Sequence, residues 1–516
     1  MAGRCGLDAG DNETAATHWN LYIRRFKGRE HMDQALLGLA HAGQGSGSLK
    51  VLLDNNANSP LAHSALFEWA RILEAQEDHA GAANRYQRLL ENFPLSEHAA
   101  TAHYGLAWCL NSTGDFEQAT SVLHKLLMKD VDTSMQIAAR ELLSWTAVEA
   151  GDLRSALANY SELQRSGLDR TRLFTAAKKL ALALKAKGDN ERALQLLRPF
   201  TTEGSTPVLA IPALVESTWI ALDSGATDDA ENYVRAAAKL TNSDTTVSEA
   251  AFFVGEARFI AQDFQRAAAL YEFAAGTQGS TVAAQALYKL GFARLSYSDA
   301  KGAAKAFAQL TRDHRDSALW GESLYLQGES LIRSGDLQAA IAPLQELRRS
   351  RPKHAVMPKA LFRLGLALQQ TGQAKEGLNV LSQLVGKFSE FEAWVEAELH
   401  RGLCLVALNR PREARSAFDR VLAKDKGILS ARARIQIGRL HLTQEDDEAA
   451  LAEFLKVALL YAHDEEVAEA LFLTGHCLER QGNQTAAIGQ YNKAVKDHAR
   501  TAYAKQCTDR LHALGQ

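Results

Sequence analysis

The feature that most constrains this chain is a period. ALYKLGFARLSYSDAKGAAKAFAQL (286–310), SLYLQGESLIRSGDLQAAIAPLQEL (323–347) and ALFRLGLALQQTGQAKEGLNVLSQL (360–384) carry a glycine, a turn and a small residue at matching offsets. Steps of 37 residues, twice 36, from Gly291 reach Ala70, Ala107, Ser144, Ala181, Thr218, Gly255, Gly328, Gly365, Gly402, Gly438 and Gly475, and every one is small. Twelve residues after each anchor, eleven of twelve positions are Ala and the other is Gly377. Four further on stand large apolar residues such as Tyr86, Tyr271, Phe307 and Tyr491. Small residues let two helix axes approach, and large neighbours fill the flanking grooves. The pattern predicts about twelve packed helix pairs, an all-α chain.

Punctuation agrees with this register. Seven residues after the anchor lie Gly114-Asp115, Gly151-Asp152, Gly188-Asp189, Gly335-Asp336 and Gly482-Asn483. Glycine ends the first helix in a left-handed conformation, and the following Asp or Asn caps the second. Pro60, Pro94, Pro199, Pro207 and Pro352 are expected at or after the ends of second helices, and Pro212, Pro358 and Pro411 in first turns. Pro343 alone falls inside a predicted helix, where a local kink is expected.

The run YKLGFARLSYSDAKGAAKAF resembles the tetratricopeptide repeat (TPR). The resemblance covers roughly residues 60 to 500 and implies an α-solenoid wound as a right-handed superhelix. The period of 37 is longer than the usual value of about 34. The link NFPLSEHAATAHYGLA (92–107) is similar to that of a bacterial envelope subgroup, which includes BamD-like outer-membrane-assembly lipoproteins and Tol-Pal-associated proteins. Residues 1–59 read as N-terminal helices with a degenerate repeat: two helices within 12–42, the flexible connection GQGSGS, then Leu52 and Leu53 at 37 before Leu89 and Leu90. Residues 60–499 form the array. Residues 500–516 form a capping helix with Ala504, Cys507, Leu511 and Leu514 on its apolar stripe.

Composition removes several function classes. The chain has 516 residues and net charge −3, a balance without electrostatic attraction to nucleic acid. No apolar run reaches the roughly 18 residues of a membrane span, and the N-terminus lacks the apolar core of a signal peptide. That makes a cytoplasmic location the default, with a periplasmic or outer-membrane-associated one if the start lies further upstream. Five scattered cysteines read as free thiols. Cys109, Cys404 and Cys477 share the slot two after the anchor, where a buried thiol packs as a small apolar residue.

No catalytic or cofactor constellation is found, so the chain reads as non-enzymatic. GQGSGS lacks the Lys-Ser/Thr ending of a phosphate loop. His98 and His103 stand five apart without a zinc-helix spacing and supporting carboxylate, so no metal site is assigned. The resemblance points instead to the slot one after the anchor, which in such arrays faces a concave groove. It holds Arg71, Trp108, Trp145, Trp219 and Phe292, with Lys178 and Lys185, together with Lys179, as a basic spot nearby. These are the candidate partner-binding residues. Leu182 stands where a chaperone-type carboxylate clamp requires Asn. A protein or peptide partner held in the groove is the expected ligand, and a component of an envelope assembly complex is the alternative.

Overall fold

The computed structural model describes all residues except 57 and 203, and those described form 29 helices and no strand. The chain divides into two compact units, Met1–Thr241 and Asn242–Gln516.

The first unit begins with α1 (Ala2–Asp8), α2 (Asn12–Arg25), α3 (Met32–His41) and α4 (Gly47–Asn55). Five helix pairs follow. They are α5 (Ala62–Ala75) with α6 (His79–Asn92), α7 (Ala99–Ser112) with α8 (Phe116–Leu127), and α9 (Thr133–Glu149) with α10 (Leu153–Arg165). Then come α11 (Arg170–Ala186) with α12 (Asn190–Thr201), and α13 (Pro207–Asp223) with α14 (Thr227–Leu240).

The second unit holds seven pairs. They are α15 (Thr245–Ile260) with α16 (Phe264–Gly276), α17 (Ala283–Ser296) with α18 (Ala300–Asp313), and α19 (Trp320–Arg333) with α20 (Leu337–Ser350). Next are α21 (Met357–Gln370) with α22 (Ala374–Lys387) and α23 (Trp394–Ala407) with α24 (Pro411–Lys424). The last are α25 (Ile428–Thr443) with α26 (Asp447–Leu460) and α27 (Asp464–Arg480) with α28 (Gln484–Asp497), and α29 (Ala502–Ala513) closes the unit.

Every anchor lies on a first helix and every recurrent Ala on a second. All eleven of those alanines are fully buried. The large residue four positions later is also buried in each repeat, and it is what the anchor accommodates. A Cβ on Gly291 would lie 2.3 Å from the Phe307 ring, and one on Gly475 would lie 2.4 Å from Tyr491. Burying each such ring contributes about 1.5–3 kcal/mol. The cores are accordingly strings of local clusters, for example one around Leu344, Leu364 and Leu381, another around Tyr160, Leu180 and Leu197.

The turns form as the spacing predicts. Gly114, Gly151, Gly188, Gly335 and Gly482 all have positive φ. Asp115, Asp152, Asp189, Asp336 and Asn483 each accept a backbone N–H of the next helix three residues on. Other repeats place Glu77, Gln262, Ser298, Asn409 and Glu445 in the same left-handed turn without glycine.

Several expectations are corrected. The structure has an additional helix, α1, that the pattern does not reveal. The segment GQGSGS is not all connection: Gly47 and Ser48 already belong to α4. Pro207 heads α13, which therefore starts earlier than expected, and Pro212 falls inside that helix rather than in its first turn. Pro199 lies within the end of α12. Pro343 does lie inside a helix, as its place in the repeat predicts: α20 runs from Leu337 to Ser350. No described helix is long and apolar enough to cross a membrane.

Candidate functional site

The first helices α7, α9 and α11 of three successive repeats bring Trp108 and Trp145 together. Their rings meet edge to face, centroids 4.9 Å apart. Both are half-buried. The side chains are fixed from beneath by Leu142 and Leu143, which pack with them in one cluster. The Trp145 indole N–H donates to Glu149 Oε1 at 3.0 Å. Lys179 Nζ lies 4.0 Å from the Trp145 ring centre and 2.8 Å from Glu149. Cation, aromatic face and carboxylate thus close one small circuit.

Beside it, Arg172 of α11 pairs with Glu141 of α9 through both carboxylate oxygens, with Nε to Oε1 at 3.2 Å. Tyr104 lines the same cavity as this pair. Burial, then the negative charge of Glu141, pushes its phenol above the ordinary tyrosine range, so it stays neutral. These residues line a cavity of about 230 Å³ with an apolar aromatic wall and a charged rim. That combination suits a large apolar side chain flanked by polar groups.

The remaining candidates lie elsewhere. Trp219 is half-buried on α13. Arg71 is exposed on α5, beside Glu68 at 3.4 Å. Phe292 belongs to the second unit, packed against Tyr288 and Phe307. The lysines do not make a bare basic spot: Lys178 pairs with Glu216 and Lys185 with Asp223, each at 2.7 Å, and Lys179 is the one at the tryptophans. The slot after the anchor pointed to the two tryptophans. It missed Tyr104, Glu141 and Arg172, whose places depend on how neighbouring repeats dock.

The buried Cys109, Cys404 and Cys477 behave as packing residues. Burial pushes the thiols of Cys109 and Cys404 up to about 12 and that of Cys477 to about 11. His98 and His103 do not meet. His103 is buried with Nδ1 on the Ala99 carbonyl oxygen at 2.7 Å, while His98 faces α5.

Two family models match. One for the tetratricopeptide repeat covers residues 53–126 and 458–504, and one for a tetratricopeptide repeat-like domain covers 277–431. The chain is a tetratricopeptide-repeat protein. These TPR matches do not reach to the envelope subgroup. No curated protein matches the sequence. Among solved structures, MamA from Desulfovibrio magneticus is 22% identical over 34% of this chain and 94% of its own, at TM-score 0.31. A Naa15/Naa10 complex bound to HypK matches 96% of the TPR chain and 75% of its own, at 14% identity and TM-score 0.42. YrrB, described as a TPR protein with an unusual peptide-binding site, is 18% identical over 37% of this chain and 91% of its own, at TM-score 0.30.

Proposed function

We propose that this TPR protein is a non-enzymatic scaffold that holds a peptide or helix segment of a partner protein against α7, α9 and α11. The observation that carries this reading is the half-exposed Trp108–Trp145 pair bordering a cavity, with Lys179 over one indole face. Tryptophans in such settings dominate binding energies, because they offer a large apolar face at low entropic cost. The partner segment carries a large apolar side chain for the cavity and charged neighbours for the Arg172–Glu141 and Lys179–Glu149 pairs.

Peptide display on the full chain, followed by titration of the selected peptides, tests the proposal. Trp108→Ala with Trp145→Ala is expected to weaken binding about 30-fold or more, as for loss of a hot spot of at least about 2 kcal/mol. Selected peptides that bind the double variant with unchanged affinity, while circular dichroism shows it folded, would overturn the assignment. The link at 92–107 favours a second reading, an envelope-assembly partner, and fractionation of the source cells separates the two.

A further inference from the structure

A second site stands at the junction of the first two repeats. His63 is the second residue of α5, and His98 is the residue preceding α7. The sister repeats show how these slots are usually filled. Before α17, α19, α21 and α23 the position of His98 is Val282, Leu319, Val356 and Ala393. The second residues of the same helices, matching His63, are Ala284, Gly321, Pro358 and Val395. Packing at this junction therefore needs only small or aliphatic residues, and here two imidazoles replace them.

Their polar atoms converge. One ring nitrogen of each histidine and one oxygen of Glu97 lie within 4.8 Å of one another. His98 Nε2 stands 3.7 Å from Glu97 Oε1 and 3.3 Å from Ser64 Oγ. His63 Nδ1 faces Ser64 Oγ at 3.3 Å and Ser96 Oγ at 3.1 Å. The His98 ring is held flat on Phe67, 4.5 Å between centres and 5° between planes. A cavity of about 520 Å³ lined by His63, Ser96 and Glu97 opens to solvent beside the cluster and offers a path of entry.

We propose that His63, His98 and Glu97 bind a divalent transition-metal ion of the zinc class, with water as the fourth ligand. Two imidazoles and one carboxylate with an open position form a ligand set such ions take. Tetrahedral bonds of about 2.0–2.2 Å need these atoms somewhat closer together. Rotation about its own bonds brings the exposed Glu97 carboxylate in, and the site also requires the His63 and His98 rings, 5.5 Å apart between centres, to turn their ligand nitrogens towards each other. The carboxylate is essential because the start of α7 presents positive partial charge, which two neutral rings do not offset. Along the sequence the site is invisible, since His63 and His98 are separated by 35 residues, close to one repeat.

Titration of the untagged full chain with cobalt(II), read by visible absorption, tests the assignment. One saturable equivalent with tetrahedral bands is expected, displaced by zinc. His63→Ala and His98→Leu install residue types that sister repeats carry, so both are expected to fold. Each, and Glu97→Gln, is expected to lose at least about tenfold in cobalt affinity, together with the zinc-induced rise in Tm of the parent chain. Absence of saturable cobalt binding by the parent chain refutes the site. So does unchanged affinity in the folded histidine variants, which would place the ion elsewhere and leave the pair as packing.

Discussion

At the scale of single residues, the anchor glycines are explained by what they face. Gly291 has no room for a methyl group because Phe307 fills the space beneath it. Gly386, exposed on α22, has nothing within 4 Å of its missing Cβ. The same substitution is therefore expected to act with opposite signs. Gly291→Ala forces the ring aside, a cost of about 1–3 kcal/mol that helix propensity only partly offsets. Gly386→Ala has the propensity gain alone, about 0.5–1 kcal/mol. Urea denaturation followed by circular dichroism measures both, and two shifts of the same sign would contradict the packing argument. The tryptophans show the limit of residue-level reading. Their slot is legible from the period, but Lys179 and Tyr104 join them only through docking of successive repeats.

Between helices, the turn is the unit that recurs. Its left-handed residue is glycine in several repeats, yet Glu445 holds the same place at φ 61° before the cap Asp446. A side chain there costs about 1–2 kcal/mol of backbone strain, and glycine returns part of that as unfolded-state entropy. Glu445→Gly is expected to stabilise by about 0.5–1 kcal/mol, whereas Asp446→Ala removes the bond to the Ala449 N–H and costs about 1 kcal/mol. Thermal melts of the two variants should move apart.

The closing helix α29 carries a pH dependence. Arg510 binds Glu479 of α27 through both oxygens, with Nε to Oε1 at 3.0 Å, and this hydrogen bonding holds the carboxyl below its ordinary range. A carboxyl depressed on folding contributes stability in full above its unfolded pKa and loses it as pH falls through the folded value. Protection of the 502–513 amides, measured against the intrinsic exchange rate at each pH, is thus expected to fall from neutral pH to below the ordinary carboxylate range, and Glu479→Gln to show low protection at neutral pH already. Equal protection in both proteins would show that α29 rests on Cys507 and Leu511 alone.

For the whole molecule, the cores are local clusters, so stability is a sum over neighbours rather than one central mass. The thiols report on this. Cys5 is exposed, while Cys109, Cys404, Cys477 and Cys507 are fully buried, with burial raising Cys507 to about 11. In native buffer near pH 8, a disulfide reagent is expected to label one thiol of five. In rising urea Cys507, in the last helix, is expected to react before Cys404, which has repeats on both sides. Simultaneous labelling of Cys404, Cys477 and Cys507, followed by mass spectrometry, would mean the second unit unfolds as one.

Helix pairs, their register, the turn glycines and their caps were all determined by the sequence alone, because each depends on residues within about 40 positions of one another. Near neighbours in a repeat array are near neighbours in space, so period and contact coincide. The tertiary structure decided what the period leaves open. It set which lysine covers Trp145, which carboxylates neutralise the others, where α13 begins, and that His63 meets His98 rather than His98 meeting His103. Those outcomes depend on the rotation of one repeat against the next. That rotation arises from the sum of many small packing contacts and leaves no mark at any single position of the chain.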